Sequence, residues 1–236
     1  MSTAEKLDWL IADQLKAELT GAAIIGREII VLKETGSTND AILQFSSTHI
    51  PPAALEGLVL FAEHQTTGRG QRGNRWESTM GKGLCFSILL RPALQLRDSG
   101  RLTVWAVEAI SDAIRAEFGV EPVTKLPNDI QLFGRKVAGV LVEMRAQENA
   151  PHLAVVGIGI NANQSRDDLP VKLQDRAISL AMAIGREVDR QKLAVTLLRN
   201  LDLTYRERFS IGIEAVNSFP APTTTRDKPA ARFRTV

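Results

Sequence analysis

Disulfide chemistry is almost closed to this chain. It holds one cysteine, Cys85, so no internal disulfide framework can form, and the composition fits a reducing, cytoplasmic setting. Long hydrophobic runs are missing as well: no stretch reaches the roughly 18 apolar residues that a membrane span needs, and no charged-then-apolar leader opens the sequence. Excess charge of one sign is absent. A net charge of +2 is too small to attract nucleic acid in bulk, so any basic patch must be local. The three histidines, His49, His64 and His152, show no metal-ligand spacing. There are no internal repeats and no Walker A segment.

What remains is ordinary globular material. With 236 residues, 44% hydrophobic and 24% charged, the chain suits one catalytic domain or one domain with a small appendage. Leu7, Leu10, Ile11, Leu15 and Leu19 recur at helical spacing and predict an opening amphipathic helix. "EIIVLKETGSTNDAILQF" reads as strand, loop and second helix, with Ser37 or Thr38 as the cap. "GLVLFAEHQ" and "GLCFSILLRP" are short punctuated apolar runs, hence buried strands. The clearest helix follows Asp98 and Ser99, with Leu102, Trp105, Ile110, Ala113, Ile114 and Phe118 in one stripe and Gly119 closing it. "NDIQLFGRKVAGVLVEM" predicts strand, tight turn at Phe133 to Arg135, and strand; "HLAVVGIGINAN" is another buried strand. A last helix starts near Asp189 and turns Leu193, Leu197, Leu201, Tyr205 and Phe209 inward. Residues 1–209 thus form the folded domain, and 210–236, rich in proline and threonine without periodicity, read as a mobile tail.

Chemistry concentrates in "TTGRGQRGNRWES", Thr66 to Ser78. Gly68, Gly70 and Gly73 satisfy G-x-G-x-x-G by spacing, but a dinucleotide loop must open directly into a helix whose N-terminus takes the pyrophosphate. Here a predicted strand follows, and Arg69 and Arg72 stand where small residues would pack, so the NAD reading fails. No H-R-D or D-F-G accompanies it, which removes the kinase reading. Glycines let backbone N–H groups approach an anion, and arginines present fixed forks of donors to phosphate or carboxylate oxygens. The loop therefore suits closure over a phosphorylated ligand; a solvated turn, basic by chance, is the plainer alternative.

A second group is "KLPNDIQLFGRKVAGVLVE", where Lys125, Asn128, Asp129 and Lys136 surround the hairpin and Pro127 holds Leu126 out of helical geometry. Two lysines with an acid–amide pair can offset phosphate charge and hold a metal ion; a hairpin with surface lysines explains the same residues. The third is "GIGINAN", with Asn161 and Asn163 ending a strand, where turn formation is the commoner role.

Together, "ETGSTND", "QTTGRGQRGNRW", "KLPNDIQLFGRKVAGVLVE" and "GIGINAN" resemble the biotin protein ligases, in that family's order, from Leu32 to about Phe209. The resemblance implies an α+β fold, a mixed sheet backed by helices, related to class II aminoacyl-tRNA synthetases and lipoate ligases. It implies that biotin is activated by ATP with Mg2+ to biotinyl-5′-adenylate, then passed to a lysine of a biotin carboxyl carrier protein, an acetyl-CoA carboxylase subunit. It implies that Ser37, Thr38 and Gln65 contact the ureido head of biotin, with Asn39 also among the biotin-binding residues, and that Gly68 and Arg69 begin the loop closing over biotin and its adenylate. Lys136 corresponds to the central active-site lysine and, with Arg69, carries catalysis. Gly70, Arg72, Arg75, Trp76, Asn128, Asp129 and Asn161 fall on the nucleotide side, with Asp129 as a metal ligand.

Three departures stand out. Gln71 replaces a common arginine and would hold the adenylate less tightly, with Arg72 or Arg75 compensating. Leu126 replaces a common tryptophan, read as a packing change. The small C-terminal β-domain usual in the family has no counterpart in residues 210–236, which leaves open impaired ATP binding or transfer. About thirty residues precede "GSTND", too few for a helix-turn-helix domain, so no specific DNA binding is expected. Oligomeric state stays open, a homodimer through sheet edges being one form that relatives take. Two rivals remain: a lipoate or octanoate ligase, whose "RRxxGGGxVYHD"-like segment is absent, and a non-catalytic biotin-binding remnant.

Overall fold

Alternation along two central strands organises the molecule. The computed structural model describes residues 8–48, 55–147 and 152–209. Seven strands, β1 (Ile29–Leu32), β2 (Val59–Ala62), β3 (Gly83–Leu90), β4 (Val123–Lys125), β5 (Asp129–Leu132), β6 (Arg135–Arg145) and β7 (Leu153–Asn161), form one sheet in the order β1-β2-β3-β7-β6-β5-β4. β1 and β2 pair in parallel and every other pair is antiparallel, so the sheet is mixed, as expected.

Strands β3 and β7 pair over their full length, with Phe86 opposite Ile158 and Cys85 opposite Gly159. Because successive side chains point to opposite faces, Leu84, Phe86, Ile88 and Leu90 join Ala154, Val156, Ile158 and Ile160 in one large apolar core. Helices α1 (Ala12–Glu18), α3 (Gly100–Phe118) and α5 (Arg190–Phe209) contribute to that core. Leu89 and Val155 belong instead to a smaller cluster on the opposite face, where Ile42 of α2 (Thr38–Thr48) packs with Leu55, Leu58 and Leu60. Within the large core Trp105 stands edge-on to Phe209 at 5.8 Å and donates its indole N–H to Thr204 Oγ1 at 2.9 Å, so burial of the ring leaves no polar atom stranded.

A buried ion pair and a buried carboxylate staple the periphery. Arg190, fully buried, donates through Nη1 to Glu63 Oε2 at 2.7 Å and to the Gly83 carbonyl at 2.9 Å, while Glu63 Oε1 accepts the Leu10 N–H at 2.6 Å. Asp202 accepts the N–H groups of Ala23, Ile24 and Ile25. Removing Glu63 would leave Arg190 an uncompensated buried ion, a loss of about 3–5 kcal/mol for such pairs.

Most expected elements form. The opening helix is shorter than the leucine spacing suggested, and Leu7 lies outside the described residues, as does the tail 210–236. The β5–β6 turn uses Phe133 at φ 51° and Gly134 at φ 73°, the positive-φ pair that a two-residue hairpin turn requires. Strand β4 and the short helix α4 (Leu180–Ile184) were not anticipated, since three and five residues carry too little periodicity. At the start of α2 the Thr38 N–H donates to Gln65 Oε1 at 2.8 Å, and the Thr38 hydroxyl lies 2.8 Å from Ser87 Oγ on the sheet. No helix among the described residues is long and apolar enough to cross a membrane.

Candidate active site

The face of β3, β6 and β7 opposite the large core carries the chemistry. A cavity of about 290 Å3 opens there, bounded by the start of α2, the loop 65–76, the β4–β5 hairpin and β6. Its floor is made by what is missing from β7. A Cβ on Gly157 would sit 2.3 Å from Asn39 Oδ1, and one on Gly159 would sit 2.4 Å from Trp76 Cε2. Those contacts are far inside van der Waals separation, so the two glycines are the condition for Asn39 and Trp76 lying against the sheet. The "GIGINAN" motif thus serves the site through its glycines, which a reading of its asparagines passes over.

Ser37, Thr38, Asn39 and Gln65, all buried, line one end. Thr38 Oγ1 lies 3.1 Å from Gln65 Oε1 and 2.8 Å from Ser87 Oγ, which is also 2.6 Å from Asn39 Oδ1. Asn39 Nδ2 donates to Glu143 Oε2 at 2.7 Å. This end is neutral where it faces the cavity, and its polar atoms are already ordered by one another.

The glycine–arginine loop is a small flap closed on itself. Arg69 bridges Arg75, the Gly70 N–H donates to the Asn74 carbonyl at 2.7 Å, and the Trp76 N–H donates to the Gly68 carbonyl at 2.9 Å. Gly68 sits behind the cavity, where the Trp76 carbonyl leaves no room for a side chain. The tip is a 3-10 turn, Gln71–Gly73, in which Arg72 takes φ 57°, left-handed backbone that non-glycine residues seldom occupy. Arg75 Nη2 donates to the Thr66 carbonyl at 2.9 Å and braces the flap base.

Arg69 is held by two carboxylates. Nη1 donates to Glu143 Oε1 at 3.1 Å, and Nη2 donates to Glu143 Oε2 at 2.7 Å and Asp40 Oδ1 at 2.8 Å. Its charge is met by two carboxylates, so it lines the cavity first as a tie between flap, α2 and β6. The Glu143 bond raises the Arg69 pKa further. For Glu143, burial works against ionisation, but bonds from Asn39 and Arg69 outweigh it and hold the carboxyl below the ordinary glutamate range.

At the other end Lys136 reaches Asp129 Oδ1 at 2.6 Å and stands 5.6 Å from the Trp76 ring centre. Its backbone is clamped between the Arg176 carbonyl and the Ile178 N–H, which fixes where the ammonium emerges. Asn128 secures the strand beside it, its side chain donating to the Val140 carbonyl at 3.2 Å. Leu126 is 73% exposed on the rim, so a packing role does not hold: the position faces out of the fold. Asn161 is buried behind the wall, its Nδ2 directed to the Ile178 and Lys136 carbonyls at 3.3 and 3.5 Å, and does not line the cavity. Among the described residues no three His, Cys, Asp or Glu side chains gather to hold a metal. Asp129, ion-paired with Lys136, is the one carboxylate lining this cavity.

Lining the cavity are five cations, Arg69, Arg72, Arg75, Lys125 and Lys136, against one acid, Asp129. In a chain of net charge +2, that concentration marks a place for an anion. Residues 32–161 match the model of the biotin/lipoate A/B protein ligase family, more than half of the chain. The chain belongs to that family. Similar members include the bifunctional ligase/repressor BirA of Bacillus spizizenii, 34% identical over 202 residues, covering 86% of this chain and 59% of that protein. A biotin–[acetyl-CoA-carboxylase] ligase of Mycobacterium tuberculosis is 33% identical over 192 residues, covering 80% and 68%. The biotin protein ligase of Aquifex aeolicus, solved with biotin and ATP, superposes with a TM-score of 0.64 at 30% identity, covering 77% of this chain and 73% of that one. This family member therefore spans under two thirds of the Bacillus relative's length.

Proposed function

We propose that this chain activates biotin with ATP as biotinyl-5′-adenylate and transfers it to a lysine of a biotin carboxyl carrier protein, a subunit of acetyl-CoA carboxylase. The observation that carries the reading is one cavity with a neutral amide–hydroxyl end and a cationic end over a glycine floor. A neutral cyclic urea needs ordered hydrogen-bonding groups that leave none of its buried polar atoms unpaired, which Thr38, Asn39 and Gln65 supply. A carboxylate attacking a polyphosphate faces like charge, and fixed cations lower that barrier without reorganising.

In the first step the biotin carboxylate oxygen attacks the α-phosphorus of ATP, the anhydride forms, and pyrophosphate leaves. Lys136 is the cation at the meeting point, with Arg72, Arg75 and Lys125 spread along the phosphates. Magnesium enters on the nucleotide's phosphates as part of the substrate. Trp76, against Gly159, offers a flat face to the adenine. In the second step a carrier lysine amine attacks the acyl carbon and AMP departs. Between steps the flap keeps water from the mixed anhydride. The similarity to relatives named as biotin ligases supports biotin over lipoate or octanoate as substrate.

Exchange of labelled pyrophosphate into ATP, run separately with biotin, lipoate and octanoate, tests this. Exchange with biotin alone is expected, and addition of a carrier domain should yield labelled carrier and AMP. Lys136→Ala should lower exchange by roughly a hundredfold or more. Biotin binding without exchange would leave a non-catalytic binder as the answer.

A further inference from the structure

Glu143 closes the segment "KLPNDIQLFGRKVAGVLVE" and was given no role there, yet its carboxylate makes three bonds at the site, to Asn39 Nδ2 and to both Nη groups of Arg69. It stands on β6, 104 residues from Asn39 and 74 from Arg69, and bonds to both. Counting protons shows what it decides. An ionised carboxylate only accepts, so the Asn39 amide nitrogen must face Glu143 and Oδ1 must face Ser87, 2.6 Å away. Amide Oδ1 also only accepts, which commits the single Ser87 proton to it. The Thr38 hydroxyl, 2.8 Å from Ser87 Oγ, then has to donate, to Ser87 or to Gln65 Oε1. One charge on β6 thus sets the polarity of a chain of groups ending at Thr38 on the cavity wall. The same two oxygens hold both Nη groups of Arg69 on the flap.

We propose that Glu143 is a positioning residue that couples the two halves of this site, orienting the Asn39–Ser87–Thr38 hydrogen-bond chain on one side and tying the flap down through Arg69 on the other. This rests on the proposed biotin-activating function, and it adds the residue that makes recognition of the neutral head and closure over the anion depend on one another. Glutamine at this position keeps the shape but can turn its nitrogen toward Asn39 or Arg69, and it gives Arg69 no charge.

The test uses Glu143→Gln and Asp40→Asn in the full chain. Glu143→Gln should raise the biotin KM of pyrophosphate exchange about tenfold and speed release of biotinyl-adenylate about tenfold, with kcat of exchange changing by less than roughly threefold. Asp40→Asn removes one partner of Arg69 and leaves the Asn39 bond intact, so release should quicken while the biotin KM shifts by less than about twofold. In NMR spectra the Asn39 side-chain amide proton facing the carboxylate should move upfield in Glu143→Gln and stay in place in Asp40→Asn. If wild type exchanges pyrophosphate with biotin and Glu143→Gln leaves KM and release unaltered, the proposal is overturned. Equal KM shifts in the two variants overturn it too, since Glu143 would then act through Arg69 alone. Absence of exchange in the wild type sinks the proposed function instead, and the Asn39 signal, which needs no turnover, still decides this inference.

Discussion

The two faces of strands β3 and β7 were built by the same residues in alternation and have become different materials. On one face Leu84, Phe86, Ile88 and Leu90 mesh with Ala154, Val156, Ile158 and Ile160, and nothing polar intrudes along these strands. On the other, one position over, stand Ser87, Gly157 and Gly159, with Asn39 and Trp76 laid on the bare backbone. The first face gains stability from volume filled. The second gives up volume to admit side chains from elsewhere, and its order comes from hydrogen bonds whose partners are remote in sequence. Stability and chemistry are therefore separable by a shift of one residue.

The sharpest break of that separation is a pair of neighbours on β7. Gly159→Val puts a branched side chain where a Cβ alone would sit 2.4 Å from the Trp76 ring, so Trp76 must leave the floor. Pyrophosphate exchange should fall by roughly a hundredfold or more, as misplacements near 1 Å do at reacting centres. Ile160→Ala, a fully buried residue on the opposite face, should cost about 2–5 kcal/mol in urea unfolding and leave exchange per folded molecule within roughly threefold. If Ile160→Ala lost activity as Gly159→Val does, the two faces would not be independent.

The same separation governs what could be read from the chain alone. Six of the seven strands were visible as short punctuated apolar runs, and α3 and α5 because burial on one face leaves a helical period in the residues that form it. The flap and Lys136 were visible because glycines and cations cluster in short stretches, whereas Thr38, Asn39 and Gln65 were named only through the family resemblance; Arg69, Arg72, Arg75, Lys136, Thr38, Asn39 and Gln65 all line the cavity. Glu143 was in view at the end of "KLPNDIQLFGRKVAGVLVE", but its role was not, because that role lies in partners 74 and 104 residues away. Gly157 and Gly159 were seen only as part of a buried strand; their purpose needs the ring and amide that rest on them. For Arg69 the place was legible, but the two carboxylates that bond to it were not.

Acid separates the faces by a different lever. Glu143 titrates below the ordinary glutamate range because its bonds from Asn39 and Arg69 outweigh its burial. A depressed carboxylate contributes stability that is fully present above its unfolded pKa and is lost as pH falls through the folded value. The stability gap between wild type and Glu143→Gln should therefore hold from pH 7 to pH 5 and shrink below the normal glutamate range. The cost of Ile160→Ala, which involves no proton, should stay level over the same window. Urea midpoints at pH 7, 5 and 4 measure both, and a gap for Glu143→Gln that ignores pH would remove the ionic account of the tie.

The smallest effect is expected at the flap tip, farthest from either packed face. Gln71 lines the cavity within the turn that ends at Gly73, and its carbonyl is fixed by the Asn74 N–H at 3.1 Å and Nδ2 at 2.9 Å. Arg75 spends Nη2 on the Thr66 carbonyl, and Arg72, exposed at the tip, is the cation placed to make up for a neutral residue at 71. Gln71→Arg adds a second tip charge without touching the floor or the tie at Arg69. Release of biotinyl-adenylate should slow by about threefold, the scale of one solvent-screened charge contact, and unfolding free energy should move by less than about 0.5 kcal/mol. Release followed by trapping the freed adenylate checks it. An unchanged rate in Gln71→Arg would mean that retention is set at Arg69 and Glu143, on the sheet, and that the tip contributes no hold of its own.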